Sequence, residues 1–297
     1  MPFYLAALAL SLLVMSTAGC APAFSRAEPE EVYKVAASNT TTFDGHPLHF
    51  LEAGTPGKPL VVFVHGTPGS WEGFSSFLQD PRLLEATHMI ALDRPGFGAS
   101  ADTGATTAFR DQARAVRLLF TRGATDTKAM VVGHSLGGSI AYRVATDYPN
   151  EVGGILAISS ALDPTLIAPG WYNHAANLRL VRWLLPKALV TSNAEMMPLK
   201  DELADMTSRL RTLHMPVTVI QGAKDGLVDD RHVDFVEQRL VNAEVRALRF
   251  PDDGHFIIWE QPDLIVDEIF ALMQAMEPIR PGIVQGVGQS DIAEQTP

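Results

Sequence analysis

The sequence predicts an α/β fold: a mostly parallel sheet with helices on both faces and a small helical lid inserted between two sheet strands. Three observations carry that reading. Short continuous apolar runs, such as LVVFV and HMIAL, recur between stretches of helical period, as strands buried on both faces require. The segment VVGHSLGGSI (131–140) reads as a strand, a sharp glycine-flanked turn and a helix start. Between about 162 and 212 the alternation stops, and no buried strand can be found.

Along the chain, EVYKVAAS (31–38) and HPLHFLEAG (46–54) alternate apolar and polar residues around Asp44-Gly45, a hairpin signal. LVVFVHG (60–66) is the first buried strand, followed by a helix near 71–85, the strand HMIAL (88–92) and the loop DRPGFGAS (93–100). A helix over 106–121 leads to the strand before Ser135, the helix SIAYRVATDYP ends at its proline, and GGILAISS (153–160) is the next strand. The lid spans 162–212. Strand PVTVIQG (216–222), a helix near 229–240, strand EVRALRF (244–250) and a helix over 262–276 complete the core, which divides into 32–161 and 213–277. The tail 278–297 reads as flexible.

The 297 residues are 46% hydrophobic and 19% charged, enough for one large domain with an insertion. The formal net charge of −11, with no basic cluster, argues against nucleic acid as a partner. Residues 1–20 are an apolar run ending in small residues, short for a membrane span and suited to a secretory signal. The sole cysteine, Cys20, follows Thr17-Ala18-Gly19, which resembles a bacterial lipoprotein signal. That resemblance implies lipidation of Cys20, export, a membrane anchor in the cell envelope, and a tether over 21–31. A cleaved soluble form, cut near Ala18 or Ala21, and an uncleaved anchor are the alternatives.

A serine hydroxyl becomes a useful nucleophile when a base lies in hydrogen-bond reach and a carboxylate orients that base. Ser135 sits in Gly-x-Ser-x-Gly. Asp225, in VIQGAKDGLV, follows a buried strand; Asp163, after the preceding strand, is its rival as triad acid, and Asp229 and Asp230 can cap the next helix. His255, in FPDDGHF, is the one histidine of nine that combines a late position with a strand-end loop. His65 and His134 read as structural residues beside demanding turns, and the others as surface or packing residues. The Leu136 N–H and the Thr67 N–H, in HGTPGS (65–70), are the oxyanion donors. The chemistry needs no metal and no organic cofactor.

With GHSLGG (133–138), HGTPGSW (65–71), DRPGFGAS, QGAKDGLV and DDGHF, the chain resembles the α/β-hydrolase superfamily over about residues 32–276. The loops look like the branch of epoxide hydrolases, haloalkane dehalogenases and carbon–carbon bond hydrolases. The first two use an aspartate at the elbow, so Ser135 implies acyl transfer instead. The resemblance implies a serine hydrolase, most plainly an esterase acting on a small-molecule acyl substrate. Amide, lactone, thioester and carbon–carbon hydrolysis, haloperoxidase-like chemistry, and a tethered binding protein on the same fold are the rivals. Trp71, Trp171, Tyr172 and Trp183, with Leu184 and Leu185, either wall a substrate pocket or pack the lid on the core. Oligomeric state stays open.

Overall fold

A computed structural model describes residues 29–123 and 128–276. The signal segment with Cys20, most of the tether and the tail 278–297 lie outside the described residues. Eight strands form one sheet: β1 (Ala36–Phe43), β2 (His46–Gly54), β3 (Leu60–Val64), β4 (His88–Leu92), β5 (Ala129–His134), β6 (Val152–Ile158), β7 (Val217–Gly222) and β8 (Val245–Phe250). Their order is β1-β2-β4-β3-β5-β6-β7-β8. β1 and β2 are antiparallel, β2 runs antiparallel to β4, and all other pairs are parallel. Asp44 and Gly45, with φ of 48° and 83°, make the tight hairpin turn.

β3 shows why the strands are apolar throughout. Leu60, Val62 and Val64 enter the core on one face, while Val61 and Phe63 enter the core on the other. The first core receives α2 (Phe109–Leu118), α3 (Leu136–Asp147) and α8 (Arg231–Arg239). The second receives α1 (Pro81–Ala86) and α9 (Pro262–Ala275), with Trp71, Phe74 and Phe77. The helix expected over 71–85 is broken. Helical turns at Trp71–Phe74 and Ser75–Leu78 are separated from α1 by Asp80, which caps the Pro81 start through the N–H groups of Arg82 and Leu83. The first strand begins later than expected, at Ala36, because Pro29–Val32 is a helical turn that buries Val32.

Strand order reverses between β3 and β5, whose onward connections leave on opposite faces. Loops diverging from such a point open a crevice at the carboxyl ends of the strands. Between β6 and β7 stand α4 (Trp171–Ala176), α5 (Arg179–Leu184), α6 (Lys187–Met196) and α7 (Leu199–Thr207). α7 buries Leu199, Leu203 and Met206, spaced by four and three residues along one face. α6 instead turns the polar Thr191 and Glu195 inward. No helix among the described residues is long and apolar enough to cross a membrane.

Candidate active site

Ser135 follows β5 and precedes α3 at φ 54°, ψ −126°. A side chain at that φ is strained by about 1–3 kcal/mol, so the surrounding chain must enforce it. The flanking glycines explain how. A Cβ on Gly133 would lie 2.3 Å from Gly137 O, and one on Gly137 would lie 2.0 Å from Val64 O. The turn therefore closes on itself and against β3, which leaves the Ser135 side chain partly open.

Asp225 follows β7, and its side chain is fully buried. Its Oδ1 accepts from the N–H groups of Leu227 and Val228, both at 2.8 Å. Its Oδ2 accepts from His255 Nδ1 at 2.8 Å and from Gln221 Nε2 at 3.0 Å. Burial opposes ionisation, but the hydrogen bond and charge of His255 and the two N–H groups outweigh it and hold the carboxyl below the usual range. The His255 loop is stitched to this one: Lys224 N–H donates to Asp253 O at 2.9 Å, and a Cβ on Gly222 would meet Asp253 O at 2.4 Å.

His134 joins the two halves. Its Nε2 donates to His255 O at 3.0 Å, and the two rings lie 4.9 Å apart. Since His134 precedes Ser135, this bond ties the His255 loop to the elbow that carries the serine. Burial, with the neighbouring His255 charge, pushes the His134 imidazole down to about 3, so it stays neutral. Among the described residues, Ser135 Oγ has no hydrogen-bond partner, and His255 Nε2 makes none either, while His255 Nδ1 is engaged by Asp225. Asp163 is committed elsewhere: its Oδ1 accepts from Thr165 N–H and Thr165 Oγ1, both at 2.8 Å.

The donors at Thr67 and Leu136 make no hydrogen bond among the described residues. The Gly66–Thr67 peptide is held by its other end. Gly66 O accepts from His65 Nδ1 at 2.7 Å and from Arg94 Nη2 at 2.8 Å. In a trans peptide, C=O and N–H point opposite ways, so fixing Gly66 O aims the Thr67 N–H. His65 Nε2 accepts from Arg94 N–H at 2.9 Å. Burial, then the Arg94 charge, pushes the His65 imidazole down to about 3.

Arg94, Glu195 and Gln112 were not singled out by the sequence. Arg94 is fully buried and donates to Glu195 Oε1 at 2.6 Å and Oε2 at 3.1 Å, while Gln112 Nε2 donates to Glu195 Oε1 at 2.8 Å. A buried fork of this kind ties lid helix α6 to the loop that aims Thr67. Asp93 anchors the same loop, accepting from Trp71 N–H, His49 Nδ1 and Ala99 N–H, each at 2.9 Å. The motif Asp93-Arg94-Pro95-Gly96 was the available signal, but its partners lie up to 101 residues away.

The apolar residues weighed as pocket walls divide differently. Trp71 is core, with its ring 5.7 Å from Tyr33. Trp171, Tyr172 and Trp183 are 62%, 56% and 79% exposed, so they do not pack the lid on the core. Trp183 instead lines an open cleft of about 920 Å³ whose lining includes none of Ser135, Asp225 or His255. Among the described residues no cluster of three His, Cys, Asp or Glu is placed to hold a metal.

This strand order, elbow and pair of strand-end loops define an α/β hydrolase. Residues 61–268 match the model of the alpha/beta hydrolase family, and the chain belongs to that family. It is 31% identical over 117 residues to the AB hydrolase superfamily protein YfhM of Bacillus subtilis, covering 39% of this chain and 41% of YfhM. It is 27% identical over 233 residues to the dihydrolipoyllysine-residue acetyltransferase component of the acetoin cleaving system of Cupriavidus necator, covering 78% of this chain and 59% of that protein. The chain thus spans about half the length of these curated relatives. The crystal structure of carboxylesterase CesB from Bacillus subtilis superposes with a TM-score of 0.59 at 16% identity, over 82% of this chain and 93% of CesB.

Proposed function

We propose that the chain is a serine hydrolase of carboxylic esters working through an acyl-enzyme. The observation that carries this reading is the buried Asp225–His255 hydrogen bond of 2.8 Å, linked through His134 to a serine held at φ 54°. Ser135 Oγ attacks the ester carbonyl carbon while His255 Nε2 takes its proton. Asp225 holds Nδ1–H, which selects the reactive tautomer and stabilises the imidazolium. The carbonyl oxygen becomes an oxyanion that accepts from the N–H groups of Thr67 and Leu136. The carbon–oxygen bond to the alcohol then breaks, and His255 returns the proton to the leaving oxygen. A water, deprotonated by His255, attacks the acyl carbon and releases the carboxylic acid and free Ser135.

A panel of p-nitrophenyl esters of rising chain length, beside matched amides, lactones and thioesters, tests the reading. Ester turnover lost in Ser135→Ala supports it, and turnover that survives in that variant sinks it. The signal-like segment extends the proposal to an exported enzyme held at the envelope through lipidated Cys20. Metabolic labelling with a radioactive fatty acid then marks the protein but not Cys20→Ala, and an unlabelled protein removes that part.

A further inference from the structure

We propose that the outer face of the lid, built on α4 and α5, docks on a bilayer surface rich in anionic lipid. Among the described residues, ten large apolar side chains stand exposed, and six of them lie between 171 and 184: Trp171, Tyr172, Leu178, Leu180, Trp183 and Leu184. α5 buries none of its six residues. At about 100° per residue, Trp183, Leu180 and Leu184 share one sector, Arg179 borders it beside Trp183 with Arg182 beyond, and half-buried Val181 lies past Leu184 on the other side. An exposed apolar sector with cations along one border and a tryptophan within it is the pattern of a helix lying in a membrane interface.

Charge selects the occupant. The chain has a formal net charge of −11, yet residues 164–200 hold four cations and one carboxylate. That carboxylate, Glu195, is already buried against Arg94. Arg179 and Arg182 form no ion pair among the described residues, and Lys187 has only Asp102, at 3.8 Å. These three cations line the 920 Å³ cleft together with Leu180, Trp183 and Leu185. A cleft that offers both cations and apolar side chains suits a lipid headgroup with its acyl chains. A second copy of this acidic chain would bring like-charged lids face to face. The inference stands on the lid alone and needs neither turnover nor lipidation of Cys20.

The experiment uses the full chain with vesicles of brominated phosphatidylcholine, alone or mixed with phosphatidylglycerol, and reads tryptophan quenching and vesicle partition. Mixed vesicles quench a component that Trp183→Phe removes. Leu180→Glu with Leu184→Glu weakens partition at least about tenfold. Arg179→Gln and Arg182→Gln each weaken it about fivefold on mixed vesicles and little on phosphatidylcholine alone. All five positions are exposed, and an unchanged melting curve shows that each variant folds. Partition without quenching of Trp183 overturns the proposal, because another segment then holds the vesicle. Equal partition on both vesicle types overturns it too, as does a concentration-dependent dimer that the leucine variants abolish.

Discussion

In the proposed mechanism Ser135 carries the chemistry of the site, and its backbone carries the strain. At φ 54° glycine is the relaxed residue, so Ser135→Gly and Ser135→Ala separate the two roles. Both variants lose ester turnover by at least about 10³-fold, and thermal melts show the glycine variant more stable than the alanine variant by about 1 kcal/mol. Equal stability would mean that the elbow stores no strain. Asp225 acts through His255. Asp225→Asn leaves a neutral acceptor that cannot enforce the tautomer, and kcat falls by about 10⁴-fold with the melting temperature little changed. The places of Ser135, Asp225 and His255 at strand ends, and the pairing of the last two, were legible because each stands in a small-residue turn after a strand. The jobs of His65 and His134 were only half legible. Their turns are visible in the sequence, but their partners, Arg94 and His255 O, become neighbours only when the sheet forms.

Among the elements, α6 and the loop after β4 form the coupling that matters most. Glu195→Ala leaves the fully buried Arg94 charge without its counter-ion, which costs about 3–5 kcal/mol. The same loss loosens the grip of Arg94 on Gly66 O and so the aim of Thr67 N–H. The expected kinetic signature is a fall in kcat larger than the rise in KM, measured well below the melting temperature. Glu195→Gln retains hydrogen bonding and recovers part of kcat. A variant with lower stability but unaltered kcat would show that the fork only holds the lid. The strands buried on both faces were legible almost to the residue, as in HMIAL over His88–Leu92, because such burial leaves a continuous apolar run, whereas the exposed β1 was misplaced by five residues. The lid was legible as an interruption but not in its packing. Its tryptophans suggest either a pocket wall or core packing, yet the lid is seated by Leu199, Leu203 and Met206 and by a buried ion pair, while Trp171 and Trp183 face out.

For the whole molecule, acid sensitivity follows from the two buried imidazoles. His65 and His134 are depressed to about 3, against about 6.5 in an unfolded chain. Between those values the unfolded state binds more protons, so stability is complete above about pH 6.5 and falls as the pH drops toward 3. Each imidazole adds a slope of up to about 1.4 kcal/mol per pH unit. Asp225, also depressed, extends the loss below the ordinary aspartate range. Denaturant melts across that window give the slope, and a flat profile would contradict the buried, neutral assignment. The reversal of strand order between β3 and β5 explains why these groups converge. It brings the Thr67 loop and the Ser135 elbow to one crevice, and β7 and β8 add Asp225 and His255 at the same edge.

Intact-mass and peptide mapping of the protein after treatment with a fluorophosphonate reads whether the serine is activated, whatever the natural substrate. A single adduct on Ser135, lost in His255→Ala, is the predicted result. A folded protein that takes no adduct, or takes it elsewhere, would contradict the assignment of Ser135 as a nucleophile driven by His255.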